Sequence, residues 1–215
     1  MGLGAVVTQT PRARLDHDQR HRQILDCAAT LIAARPYGEV SMEDVASAAG
    51  VTRGLLHHYF GTKRDLYLEL MRDMLRAIPV PVPDYVQGVT PEQRFADSVD
   101  EWLEAVWENR RVWLAMLGGA GLGRDPEAER IWDRARDVSV DSMIGVLGLG
   151  PADRASSTLR GLLRSYGAFA EAATREWIAH ARFTREQMHT LLTSTMERLV
   201  QDVLPLVEQP ETALR

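Results

Sequence analysis

The run SMEDVASAAGVTRGLLHHYFGTK at residues 41–63 constrains this chain more than any other stretch, because its punctuation suits only short, closely packed helices. Ser41 is a helix-capping residue, and Asp44 three positions later completes a capping-box-like pair. Val45, Ala46 and Ala49 give the first helix a small apolar face. Gly50 stands where a left-handed residue must join two tightly packed helices, and Val51 can fill the gap beneath that turn. Thr52 caps the second helix, and Thr62 with Asp65 repeats the capping pattern for a third. Two helices joined in this way, with a third following at once, form the layout of a helix-turn-helix.

The second helix sorts by angle. At about 100° per residue, Arg53, Gly54, His57 and His58 fall on one arc, and Leu55, Leu56, Tyr59 and Phe60 on the other. The first arc offers a cation suited to guanine edges or phosphate, two imidazoles suited to phosphate, and a glycine that permits close backbone approach. Lys63 opens the next helix, where free N–H groups already favour an anion. The angular reading puts Tyr59 on the packed side. An amphipathic surface helix with no nucleic-acid role has the same periodicity; the caps, the glycine turn and the placed cations argue for DNA.

These residues also carry a resemblance. The run VSMEDVASAAGVTRGLLHHYFGTKRDLYLEL resembles the N-terminal domain of the TetR (tetracycline repressor) family of bacterial transcriptional regulators. The similarity extends back through Arg22, Ile24, Leu25, Ala28, Leu31 and Ala34, and Tyr59, Phe60, Gly61, Thr62 and Lys63 form the segment most specific to that family. The resemblance implies DNA-contacting positions at Thr52, Arg53, Gly54, His57, His58, Tyr59 and Lys63, to which the capping residue Ser41 is added. Two positions depart from common members: an aromatic residue, usually tyrosine, often stands where this chain has His57, and Thr or Asn where it has Leu55.

The remaining sequence reads as helices without a convincing strand. The first helix is expected over about 17–34 and the one after the recognition helix over 63–77. Pro79, Pro81 and Pro83 then break the pattern and put a domain boundary within 78–90. Helical periodicity returns over about 91–109, through 117, over 126–147, from Gly150-Pro151 to about 181, and from Thr184 to about 204. The expectation is an all-α chain: a flexible arm (1–16), a three-helix helix-turn-helix DNA-binding domain (17–77), a proline-rich connection (78–90), and a C-terminal helical domain (91–215) for ligand binding and dimerisation.

Charge is distributed accordingly. The formal net charge of −5 argues at first against nucleic acid. Residues 1–76, however, hold 10 Lys+Arg against 9 Asp+Glu, and the rest of the chain 15 against 21. Placed contacts, rather than overall charge, must supply DNA affinity. Arg12 and Arg14 lie in the N-terminal arm, either in a minor groove or simply solvated.

In the C-terminal part, Leu159, Leu163 and Trp177 recur at helical spacing, as do Met188, Leu192, Met196 and Leu199. The resemblance implies a four-helix homodimer interface from the last two long helices, and these residues are its candidate stripe; the alternative is that they face the protomer's own core. Trp102, Trp107, Trp113, Met116, Trp132, Tyr166, Phe169 and Glu171 are candidates for a small-molecule effector pocket, with Glu104 or Asp141 as further polar contacts selecting a cation. Most of these large side chains are equally suited to a core.

Other function classes find little support. Gly119 and Gly121 lack the third glycine of a dinucleotide fingerprint, since position 124 is Arg124, and no strand precedes them. No nucleophile elbow, HExxH or CxxC motif is present. His17 and His21 share a helix face, but nothing completes a metal site. No cofactor is expected, and no segment approaches the length of a membrane helix. Cys27 as the only cysteine, with no signal-peptide pattern, agrees with a reducing cytoplasm. The reading is a ligand-responsive repressor; a DNA-binding regulator without an effector and an enzyme on a helical frame are the alternatives.

Overall fold

A computed structural model describes residues 17–78, 81, 88–117 and 125–208. The arm 1–16, most of the proline-rich connection and the glycine-rich loop at 118–123 lie outside the described residues. Ten α-helices and no strand occur among the described residues: α1 (His17–Ala34), α2 (Met42–Ala48), α3 (Arg53–Phe60), α4 (Lys63–Ala77), α5 (Pro91–Glu108), α6 (Arg110–Leu117), α7 (Pro126–Leu147), α8 (Ser157–Ile178), α9 (Arg185–Arg198) and the short α10 (Leu204–Val207).

Local chemistry sets these boundaries. Reciprocal capping boxes start α2 (Ser41 with Asp44), α4 (Thr62 with Asp65), α5 (Thr90 with Gln93) and α9 (Thr184 with Gln187). Gly50, with φ +62°, ends α2: its N–H donates to Ser47 O and that of Val51 to Ala46 O, the paired bonds of a Schellman motif. Two boundaries differ from the sequence reading. Pro151 begins only a single tight turn at Ala152–Arg154, and α8 starts later, where the Ser156 hydroxyl accepts from Leu159 N–H. The last long helix loses regular α geometry after Arg198 and widens into a π turn over Leu199–Val203. Pro205 lies just beyond; it has no N–H to donate, and its ring crowds the carbonyl four residues back.

Helices α1–α4 pack as one cluster and α5–α9 as a second, with α1 against α6 and α4 against α7 across the seam. The buried side chains run from one cluster into the other as a single core. Three buried side chains in the body satisfy one another or the backbone: Trp113 Nε1–H donates to Thr174 Oγ1 (3.0 Å), Thr174 donates to Glu171 O (2.8 Å), and Tyr166 donates to Leu192 O (3.0 Å). Burial pushes the Tyr166 phenol far above its ordinary pKa, which keeps it a donor.

The apolar stripes of the last two long helices turn inward. Leu159, Leu163, Trp177, Met188, Leu192 and Met196 are all buried within the chain, and Leu199 is half-buried against the same core. The six fully buried residues are therefore not available to a partner, contrary to the expected dimer stripe. The reason is geometric: α8 packs on α6, α7 and α9, and α9 on α5, so the apolar arc of each is used within the protomer. Truncating Met196, which is 0% exposed, to alanine is expected to destabilise the protomer by about 2–5 kcal/mol. Chemical denaturation read by circular dichroism measures this, and a negligible shift would return Met196 to an interface role.

Candidate nucleic-acid interface and ligand cavity

Helix α3 is held by the side it buries. Leu56 and Phe60 are buried, while Arg53, Gly54, His57 and His58 face solvent, as the angular sorting requires. Leu55 departs from it: the side chain is 37% exposed. The buried arc is narrow, and Leu55 stands about 100° from Leu56 on the far side of Tyr59. Tyr59 is half-buried and lies against His17, with ring centroids 4.7 Å apart. His21, the other histidine of α1, pairs with Glu69 (3.1 Å) and stacks on Phe60. Both α1 histidines thus brace α3, and among the described residues no group of metal-ligating side chains forms.

Several outward residues have structural partners of their own. His57 Nδ1 lies 2.6 Å from Gly61 O, and Arg53 Nε lies 3.4 Å from His57 Nε2. A carbonyl can only accept and a guanidinium can only donate, so in this pair of contacts Nδ1–H is the donor and Nε2 the acceptor. It ties Arg53 to the turn at Gly61, whose φ of +66° favours glycine. Ser41 and Thr52 keep their hydroxyls on helix N-termini, accepting from Asp44 N–H (3.1 Å) and Leu55 N–H (3.2 Å). The Lys63 ammonium sits 4.1 Å above the Tyr37 ring, a cation–π contact at the start of α4. Gly54 has open space where a Cβ would stand. The arrangement presents one cation, the exposed His58 imidazole and bare backbone on the convex side of a short helix, a shape that fits a DNA groove.

Behind this face lies a cavity of about 780 Å³, within the range of sites for small organic ligands. Of the expected lining residues, Trp102, Trp113, Trp132, Tyr166 and Glu171 border it. Three do not. Trp107 is 42% exposed and stacks on Trp177 at the surface, with the Arg110 guanidinium over its ring. Met116 is buried in the core away from the cavity wall, and Phe169 is exposed on the outer side of α8. Glu104 and Asp141 are also not on the wall; they pair with Arg185 and Arg160.

Sequence reasoning missed part of this wall. Arg72, Leu75, Arg76 and Ile78 reach it from α4 and its C-terminal end, and Arg130, Arg134 and Arg136 from α7. The available signal was the i, i+4 spacing of Arg72 with Arg76 and of Arg130 with Arg134, which places each pair on one helix face.

Ion pairs close the seam beside the cavity. Arg64 grips Asp125 with two hydrogen bonds, Nε at 2.6 Å and Nη2 at 2.9 Å. The same carboxylate caps α7, accepting from Glu127 N–H and Ala128 N–H. Two turns along α4, Arg72 donates to Glu127 at 2.9 Å. The Arg64 hydrogen bonds, ahead of the α7 N–H groups, hold the Asp125 carboxyl at about 2, below its ordinary 3.8.

A helix-turn-helix with a polar exposed face, mounted on a helical body that carries a ligand-sized cavity, is the architecture of a DNA-binding regulator. Residues 24–70 match the family of bacterial regulatory proteins, tetR family, and residues 91–199 match the tetracyclin repressor-like C-terminal domain. The chain belongs to the TetR family and is a DNA-binding transcriptional regulator. It is similar to the HTH-type transcriptional regulator BetI of Rhizobium meliloti, 29% identical over 147 residues that span 66% of this chain and 71% of that one. BetI of Brucella canis is 37% identical over 78 residues, 36% of this chain and 39% of that protein. The fold is also that of a tetR-family regulator from Streptomyces coelicolor, with a TM-score of 0.70, 20% identity, and coverage of 92% of this chain and 93% of that one. Regulators of this family bind operator DNA and act as dimers. No helix among the described residues is long and apolar enough to cross a membrane.

The Arg64–Asp125 pair makes a pH prediction. Because the folded pKa of Asp125 is depressed, its contribution to stability is fully present above about 3.8 and is lost as pH falls through about 2. Arg64→Ala is expected to return the Asp125 titration toward 3.8, read by carboxyl-carbon NMR shifts. An unmoved midpoint would assign the depression to the helix cap alone.

Proposed function

We propose that the chain is a cytoplasmic, homodimeric, ligand-responsive repressor. Residues 17–77 form its DNA-reading head and residues 91–215 its effector-binding and dimerising body, joined by α4 and the 78–90 connection. The observation that carries this reading is that α4, which starts directly behind the recognition helix, also supplies Arg72, Leu75 and Arg76 to the cavity wall, with Ile78 just past its end. A ligand that fills the cavity therefore touches the element that aims α3. If ligand and operator favour different placements of the two recognition helices in a dimer, each lowers affinity for the other by the same factor. A cavity of this size also favours the ligand-responsive reading over a regulator without an effector. The test is operator release in gel-shift titration, read beside thermal shift for a panel of small molecules. A compound that stabilises the protein without weakening the operator complex sinks the repressor linkage.

In this reading Arg53, Gly54, His57 and His58 make the base and phosphate contacts, with Ser41, Thr52, Tyr59 and Lys63 flanking them. Arg53 is the residue most able to read a guanine. Arg53→Ala is expected to lower operator affinity by about one to two orders of magnitude, while sedimentation and helicity stay unchanged. Unaltered affinity would remove Arg53 from the interface.

The pairing surface is the outward face of α8. Gly161, Ser165, Ala168, Phe169 and Ala172 are exposed there, four of them small, so a second helix can approach closely. Ala168→Arg is expected to give folded monomers in sedimentation and to lose operator binding. A dimer that persists would place the pairing face elsewhere.

A further inference from the structure

The chemistry of the cavity wall is more specific than its size. Its interior is aromatic and aliphatic, built on Trp102, Trp113, Phe95, Val99 and Met143. Its charged groups are almost all guanidiniums. Arg72, Arg76, Arg130 and Arg134 gather where α4 meets α7, and Arg136 and Arg164 lie further along α7 and α8. The only carboxylates among its described lining residues are Glu127 and Glu171.

Neither carboxylate is available to a cationic ligand. Glu171 is held by both arms of Arg136, at 2.9 and 2.8 Å. Glu127 is shared between Arg72 and Arg130. The Trp132 ring, the kind of surface that receives a quaternary ammonium, already carries the Arg136 guanidinium 5.5 Å from its centroid. At the seam the balance is positive. Four guanidiniums have two carboxylates, Glu127 and Asp73, and Arg76 reaches Asp73 only at 3.5 Å. Arg134 has no hydrogen-bond or ion-pair partner among the described residues.

Resting on the reading of this cavity as the effector site, we infer that its ligand is an amphipathic carboxylic acid: an apolar body lies among the tryptophans and the carboxylate meets the Arg72, Arg130 and Arg134 cluster at the head–body seam. Guanidiniums recognise carboxylates through paired, charge-assisted hydrogen bonds. The position also explains how such a ligand would act. A carboxylate at Arg72 competes with Glu127 for the same guanidinium, and that pair ties α4 to α7.

The test uses the full chain and three probes with the same ten-carbon tail, kept below their micelle concentrations: decanoate, decanol and decyltrimethylammonium. Tryptophan fluorescence and calorimetry report binding. Decanoate is expected to bind most tightly. Arg130→Ala/Arg134→Ala is expected to weaken decanoate by about tenfold or more and to leave decanol unchanged, which also verifies that the variant is folded. Decanol or the ammonium binding as tightly as decanoate, equal decanoate affinity in the variant, or no binding of any probe would each overturn the assignment. Operator release is scored separately. Decanoate that binds as described but leaves the operator complex intact supports the ligand class and overturns the repressor linkage; release by a neutral or cationic compound seated in the cavity does the reverse.

Discussion

Leu66, Tyr67 and Leu68 of α4 are three consecutive buried side chains. At about 100° per residue they sweep some 200° of the helix surface, more than a single packed face can account for. With Leu70, Met71 and Met74 also buried, α4 is enclosed: one side belongs to the DNA-reading cluster and the other to the body. Everything that couples the two ends of the molecule depends on this double burial. A helix packed on both sides cannot swing freely in its own cluster, because close-packed cores have few alternative arrangements and resist continuous deformation. Any rearrangement that the proposed switch needs would therefore be discrete rather than a gradual bend.

The seam's ion pairs fix how α4 lies against the start of α7. Arg64 and Arg72 are spaced two turns apart on α4 and meet Asp125 and Glu127 at the first turn of α7. Exposed pairs of this kind contribute little to stability individually. Their value is positional: Asp125 is committed to capping α7 at the same time as it binds Arg64, so the start of one helix is registered against the side of another. A contact that is weak in energy but specific in geometry is well suited to a switch, since a modest ligand interaction can replace it.

The features legible in the sequence were those decided by neighbours in the chain. The caps at Ser41, Thr52, Thr62 and Thr184, the turn at Gly50, and the bounds of α1, α4 and α7 all follow from interactions within a few residues. The misreadings came from partners far apart in sequence. Leu192 and Met196 have the periodicity of a dimer stripe, but the same periodicity serves a core, and only the packing of α8 and α9 among α5, α6 and α7 decides between them. Trp107 and Trp113 differ little as sequence signals, yet one stacks on Trp177 at the surface and the other forms a cavity wall. A cavity is shaped by what does not fill it: the i, i+4 spacing of Arg72 with Arg76 and of Arg130 with Arg134 marks a shared helix face, and only the packing of α4 beside α7 makes that face a lining.

The reading face shows how a chain with a net charge of −5 can still address DNA. Its charge is positioned rather than abundant. The His57 imidazole bonds the carbonyl of Gly61 through one nitrogen and meets Arg53 through the other, so the turn that launches α4 also braces the guanidinium that opens α3. In the interface proposed above, this contact orients Arg53 along the helix, so less side-chain entropy is lost on binding.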